Sequence, residues 1–418
     1  DIARAAAPTN IEEVAKQLGL ASSDLILHGP HIAKVSWKSL SSGLSNKRGK
    51  LILVTSVNPT PYGEGKTVTT IGLNQGLNHR GHNACCVIRE PSLGPVFVIK
   101  GGAAGGGHSQ VLPMEQINLH FTGDLHAITS AHNLCSAILD NHLHRGNELE
   151  IDTNRIFWPR VIDMNDRTLR QVSIGLGGPA TGVTRSERFD ITAASEVMAI
   201  LSLSKSYDDL RERLGRIIVA ESNSGKPVTA EDLGAAGSMA LLLREAMLPN
   251  LVQTLEGNPA FVHCGPFANI AHGNSSIIAD ELALSRSDYV VTEAGFGAEM
   301  GAEKALHIKS LASGISPSCI VLNVTVRSMK LHGGGVAGGG GSRPTKEEIE
   351  TENVEAVRSG ASSNLRRHIK NLAATSIPVV VSINRFHADT DAEIEAIRDE
   401  AAKAGAFDIV LFDGFSKG

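Results

Sequence analysis

The chain has 418 residues, 42% of them hydrophobic and 20% charged, which describes a globular protein too long for one ordinary core. A net charge of −5 without any basic block excludes nucleic acid as the expected partner, and no apolar run approaches the roughly 18 residues of a membrane helix. The five cysteines form no C-x-x-C pair and the first residues show no secretory h-region, so a reducing, cytoplasmic compartment is expected.

In chain order, Asn10 is a candidate cap for a helix over 10–20, with Ile11, Val14, Ala15 and Leu18 as its apolar stripe. The apolar run 51–57 predicts a strand and 65–80 a helix. Between them lies Gly63-Glu64-Gly65-Lys66-Thr67. Strand, glycine-rich turn, Lys-Thr and helix is the order of a phosphate-binding loop. There, backbone N–H groups face an anion, the lysine adds a positive charge, and the Thr67 hydroxyl can ligate Mg²⁺. The usual pattern G-x-x-x-x-G-K-[ST] asks for glycine at position 60, where this chain has Thr60 followed by Pro61 and Tyr62.

A second strand is expected at 84–89, with Cys85 and Cys86 as small core hydrophobes. Arg89-Glu90 follows at its end, ahead of a Pro-flanked turn, where Arg89 can hold a phosphate or carboxylate with two parallel hydrogen bonds; a surface Arg–Glu pair is the plainer reading. The small-residue run Lys100 to Ser109, which includes His108, allows close backbone approach to an anionic or planar ligand or makes a flexible loop. His120, Asp124 and His126 lack the spacing of a helical metal pair and suit acid–base or phosphate-contacting roles better. His132, His142 and His144 fit a helix surface. Segments 263–275 and Glu293-Ala294-Gly295-Phe296-Gly297 follow strands and read as ligand-lining loops, though each alone is no more than a turn.

Further strands are expected at 216–220, 260–263, 288–292, 319–326, 378–383 and 408–412, with helical patterns between most of them. The fold class is therefore α/β: a P-loop-type, mostly parallel, doubly wound sheet in a large N-terminal domain. The expected division is 1–370 as a nucleotide-binding domain, with a flexible glycine-rich loop at 333–341, and 371–418 as the start of a smaller α/β domain that reads as truncated. Phe386 and Phe415, each after a late strand, could clamp a planar ring or be ordinary core phenylalanines.

Taken together, these segments resemble the formate–tetrahydrofolate ligase family. The likeness is carried by Pro59 to Thr67, Arg89 to Pro95, Lys100 to Gly107, Asn118 to Ile128, Phe267 to Ser275, Val290 to Ala298 and Asn384 to Asp391, and it runs along essentially the whole chain. The resemblance implies a cytoplasmic homotetramer, activated by K⁺ or NH₄⁺, that uses ATP and Mg²⁺ to join formate to tetrahydrofolate through formyl phosphate. It implies nucleotide contacts from Thr60, Pro61, Tyr62, Gly63, Glu64, Gly65, Lys66, Thr67, Glu293, Gly295, Phe296 and Gly297, with Mg²⁺ reached through Thr67. Catalytic roles would fall to Lys66, Arg89, Glu90, His120, Asp124 and His126, and folate contacts to Lys100, His108, Phe386 and Phe415. No nucleic acid or membrane partner is implied.

The chain departs from the family pattern in four places. His108 stands for a usual Tyr, Val98 for a Gly, Phe415 for a Trp, and Leu27-His28-Gly29-Pro30-His31 for a stretch with two Tyr and a Lys. A smaller stacking face at Phe415 predicts weaker folate binding. A catalytically weakened homologue acting as a nucleotide-binding module is the alternative these departures motivate. A generic P-loop ATPase lacks a use for the run from Arg89 to Gly107.

Overall fold

The computed structural model describes residues 2–42, 49–97, 104–335 and 345–418. Seven strands form its parallel centre: β1 (Lys50–Ser56), β2 (Ala84–Ile88), β3 (Pro259–Val262), β4 (Tyr289–Glu293), β5 (Cys319–Val324), β6 (Val379–Asn384) and β7 (Asp408–Phe412). Their spatial order is β3-β2-β4-β1-β5-β6-β7, and every neighbouring pair is parallel. β2 is buried at all five positions, as expected of a strand with both faces covered, which reads as a continuous apolar run. Beyond β3 the sheet turns antiparallel through Asn250–Thr254, Ala33–Val35 and Leu25–Leu27, so the 12-stranded whole is mixed.

β1 is the topological hinge of this sheet. The chain leaves it toward β2 and β3 on one side, and later crosses it from β4 to β5 on the other. The carboxyl end of β1 therefore opens into the crevice where α/β sheets bind ligands. From there the chain enters helix α1 (Lys66–His79), whose cap is Gly65 at φ 76°. Helix α2 (Asp124–His144) packs Leu125, Ile128, Cys135, Leu139 and Leu143 into a second core with Trp158, Val197, Leu201 and Met239.

Strand 216–220 is found at Ile218–Ser222, but it leaves the main sheet for a separate three-stranded one with Ile151–Ile156 and Pro227–Thr229. The helix expected over 10–20 forms at Ile11–Gln17, where the Asn10 side chain accepts from the Glu12 N–H. β6 and β7 extend the same sheet as β1 and β5, and one apolar cluster joins Leu53, Ile320 and Val357 to Ile383 and Ile394. The glycine-rich segment lies mostly outside the described residues, as do Val98 and Lys100.

The cysteines are free thiols, four buried and Cys319 half-buried. Burial pushes the Cys86 and Cys135 thiols up to about 12, so neither is a nucleophile at neutral pH. His132 corrects the surface reading of the α2 histidines. Its ring stacks on Trp158 at 4.0 Å, its Nε2–H donates to the Pro159 carbonyl at 2.7 Å, and Nδ1 accepts from the Ser195 hydroxyl at 2.8 Å. Burial lowers its pKa to about 4. Among the described residues no helix is long and apolar enough to cross a membrane.

Candidate functional site

The site begins at the turn between β1 and α1. Gly63 and Gly65 both hold positive φ, 72° and 76°, which a side chain would resist, and a Cβ on Gly65 would overlap the Asn384 amide. Glu64 between them is buried and points away from the turn's open side. Its carboxylate accepts from the Thr325 hydroxyl at 2.6 Å and the Thr60 N–H at 3.0 Å, and its carbonyl accepts from Asn323 and Asn384. Asn323, Thr325 and Asn384 all sit at the carboxyl ends of β5 and β6. The turn is thus pinned to two strand ends through Glu64, while Pro61, Tyr62 and Gly63 stay exposed. Glu64 therefore shapes the loop with its side chain and leaves only backbone for a ligand.

Lys66, the first residue of α1, is half-buried, and its ammonium reaches the Ser56 hydroxyl at 3.4 Å. Thr67 donates its hydroxyl hydrogen to Glu293 Oε2 at 2.7 Å. The other Glu293 oxygen lies 3.6 Å from Arg89 Nε. Glu293 at the end of β4 hence joins Thr67 after β1 to Arg89 after β2. A hydroxyl and a carboxylate oxygen this close make the hard-oxygen donor set that Mg²⁺ selects.

Arg89 is hemmed in by glycine. A Cβ on Gly295 would lie 3.2 Å from Arg89 Nη1, 2.6 Å from the Ala268 Cβ and 2.9 Å from the Gly273 carbonyl. The loops after β3 and β4 therefore close on Arg89 only because Gly295 has no side chain. Phe296 at φ 43° and Cys264 at φ 53° hold left-handed backbone in the same two loops. Bulky residues rarely adopt that conformation, and such strain clusters at functional sites.

Glu90 is buried beside Arg89, its N–H bonded to the Cys264 carbonyl at 2.8 Å. Burial raises its carboxyl well above the ordinary range, and the nearby Asp124 and Asp163 push it the same way while Lys34 opposes them. Asp163 also fixes the turn beyond, accepting from the Ser92 hydroxyl at 2.5 Å and the Leu93 N–H at 3.0 Å.

The trio His120, Asp124 and His126 does not stay together. His120 and His126 are exposed, whereas Asp124 is buried and receives Lys34 Nζ at 2.8 and 2.9 Å and Asn250 Nδ2 at 2.8 Å. Lys34 is itself 0% exposed and also donates to the Leu248 carbonyl. No local pattern marks Lys34 in sequence, since its partner lies 90 residues away.

His272 lies inside the loop 263–275 and carries no local signal of its own in the sequence. It is 1% exposed, and neither ring nitrogen has a partner among the described residues. Burial, then the charges of Lys309, Arg89 and Lys304, lowers its pKa to about 3. A neutral imidazole with two open nitrogens beside the Arg89 pocket is equipped to bond an oxygen ligand.

The two phenylalanines occupy different settings. Phe386, after β6, is half-buried, and the Arg327 guanidinium lies 4.0 Å from its ring centroid. Phe415, after β7, is 54% exposed and lines a cavity of about 320 Å³ with Gly105, Gly106, Gly107 and Met114. The glycine run earns part of its composition from the chain itself. A Cβ on Gly107 would overlap the Phe415 carbonyl, which accepts the His108 N–H at 2.9 Å. His108 thus meets Phe415 through backbone.

His132, His263 and His272 are buried neutral, with values lowered to about 4, about 4 and about 3. An unfolded histidine takes its proton near pH 6.5. Below that the unfolded chain binds more protons, so these residues remove stability as pH falls from about 6.5 toward 4. The drop in Tm between pH 7 and pH 5 is expected to shrink in His132→Gln, which keeps a donor for the Pro159 carbonyl. Equal drops in thermal scans of both proteins would contradict this.

Fold and site define an α/β protein with a glycine turn at the switch point of a mostly parallel sheet, and an Arg–Glu–Thr bridge beside it. Residues 1–418 match the family described as formate–tetrahydrofolate ligase, and the chain belongs to that family. Among its relatives, the formate–tetrahydrofolate ligase of Dinoroseobacter shibae is 56% identical over 97% of this chain and 71% of the relative. That of Mesorhizobium japonicum is 55% identical over 100% of this chain and 73% of the relative, and that of Desulforamulus reducens 53% over 97% and 71%.

Proposed function

We propose that this protein ligates formate to tetrahydrofolate at the expense of ATP, giving 10-formyltetrahydrofolate, ADP and phosphate. A formate oxygen attacks the γ-phosphorus, the bond to the ADP oxygen breaks, and formyl phosphate forms. N10 of tetrahydrofolate then attacks the formyl carbon, loses its proton, and the carbon–oxygen bond to phosphate breaks.

The observation that carries this reading is Glu293, bonded to Thr67 on one side and facing Arg89 on the other. It sets the nucleotide turn and the candidate formate-holding arginine on one carboxylate. In this P-loop-type reading, the backbone from Thr60 to Gly65 and the Lys66 ammonium hold the phosphates, with Gly295, Phe296 and Gly297 closing the nucleotide side. Mg²⁺, held by Thr67 and Glu293 with the nucleotide, would neutralise charge on the transferring group. Arg89 clamps formate and then the formyl phosphate oxygens. Catalytic roles fall to Glu90, whose burial favours the neutral carboxyl, to the buried Asp124, and to His120 and His126 at the surface.

Segment 1–370 then forms the nucleotide and formyl phosphate half, and 371–418 contributes Phe386 and Phe415 to the folate half, with Lys100 and His108 as folate contacts on the family resemblance alone. The cavity beside Phe415 supports a flat ring at that place. On family membership alone, the proposal extends to a cytoplasmic homotetramer activated by K⁺ or NH₄⁺. Formylated folate is expected only when ATP, formate and tetrahydrofolate are all supplied with Mg²⁺. An assay that follows the folate product decides it, and ATP hydrolysis without formylated folate would overturn the proposal.

A further inference from the structure

Helix α3 (Val326–His332) reaches the nucleotide turn at several places along its length. At its cap, Thr325 donates to the Glu64 carboxylate at 2.6 Å. At its end, His332 Nε2 donates to the Asn58 carbonyl at 3.1 Å. Between these, Arg327 Nη2 donates to the Gly63 carbonyl at 2.5 Å and lies 3.4 Å from the Tyr62 carbonyl. The same guanidinium stacks on Phe386 at 4.0 Å and reaches toward the Tyr62 ring at 6.0 Å. Its Nε is buried without a hydrogen-bond partner among the described residues. That nitrogen's unmet bond is a cost the arrangement bears in order to keep the flat group between loop and ring. Phe386 is held from below by its own turn, whose N–H donates to Asp389 at 2.7 Å.

One planar cation therefore bonds the phosphate loop with its edge and an aromatic ring with its face. Lysine could not do both, because it lacks the planar fork. We propose that Arg327 is a positioning residue that couples the two substrate sites, so that a pterin stacked on Phe386 and a nucleotide in the loop each tighten the binding of the other. The inference rests on the reading above that the loop takes nucleotide and Phe386 takes folate. The coupling runs both ways by linkage: a ring fixed by folate fixes the guanidinium, which fixes the Tyr62 and Gly63 carbonyls, and the reverse.

The test measures the Kd of Mg-ADP with and without saturating tetrahydrofolate. The proteins are the wild type, Arg327→Lys, Phe386→Leu and the double variant, each checked for a native thermal transition. In the wild type, tetrahydrofolate is expected to tighten ADP by about 5-fold or more. Arg327→Lys and Phe386→Leu should each reduce that factor to near one, and the double variant should lose no more than either single one. A factor that survives in Arg327→Lys overturns the proposal, as do additive losses. Two controls separate this from failure of the site reading. If Phe386→Leu leaves tetrahydrofolate affinity unchanged, or Lys66→Ala leaves ADP affinity unchanged, the site assignment falls and the coupling with it. If both controls weaken binding as assigned but coupling persists without Arg327, only the role of Arg327 is lost.

Discussion

Lys66→Ala is expected to lower kcat by about 10²–10³-fold, the usual loss when one preorganised group is removed from a developing charge. Lys66 opens α1 directly after Gly65, at the turn the proposed function gives to the phosphates. It is half-buried, its bond to the Ser56 hydroxyl is 3.4 Å long, and alanine is the best helix former at a helical position. The fold should therefore survive, with stability changed by roughly 0.5 kcal/mol or less. Steady-state kinetics beside a urea unfolding curve separate the two effects. A variant within twofold of wild-type kcat would remove Lys66 from phosphoryl transfer.

The largest effect on stability is expected from Lys34→Met. Lys34 and Asp124 are fully buried, 2.8 Å apart, and their remaining bonds go to Leu248 and Asn250. Methionine keeps most of the volume but leaves the Asp124 carboxylate in the interior without its cation. Breaking a buried pair this way costs about 3–5 kcal/mol. By contrast, Arg4–Glu115, with side chains 75% and 59% exposed, is worth about 0–1 kcal/mol. Denaturant midpoints should show this order, and Lys34→Met paired with Asp124→Leu should recover part of the loss. Equal midpoints for Lys34→Met and Arg4→Met would show that Lys34 is not the buried partner of Asp124.

The elements legible in sequence were those whose signal is local. β1 through β7 are short apolar runs before turns, and the turn after β1 carries its glycines and Lys-Thr within five residues. Asn250–Thr254 went unread because its buried Asn250 and Gln253 look like loop residues. They are satisfied by Asp124 and by the backbone at Thr9, both distant in sequence. His132 was read as surface because the segment that covers it, around Trp158 and Pro159, comes 26 residues later. Arg89 and Glu90 were marked by their position after a strand, but Glu293 as the bridge between Thr67 and Arg89 appears only once β4 lies between β1 and β2. Glycines 105–107 read as ligand space, and Gly107 instead makes room for the Phe415 backbone. In each case the missing information was the identity of a partner from another part of the chain.

In the proposed reaction, formate is activated by the γ-phosphoryl group beside Lys66 and Arg89 before folate attacks. Formate carrying ¹⁸O at both oxygens tests it most directly, with mass analysis of the phosphate and of the formylated folate. The expected result is one ¹⁸O in phosphate for each 10-formyltetrahydrofolate formed, because the attacking oxygen stays on phosphorus when the carbon–oxygen bond breaks. Phosphate free of label, with folate formylated, would contradict a formyl phosphate intermediate and the assignment of Arg89 as its clamp.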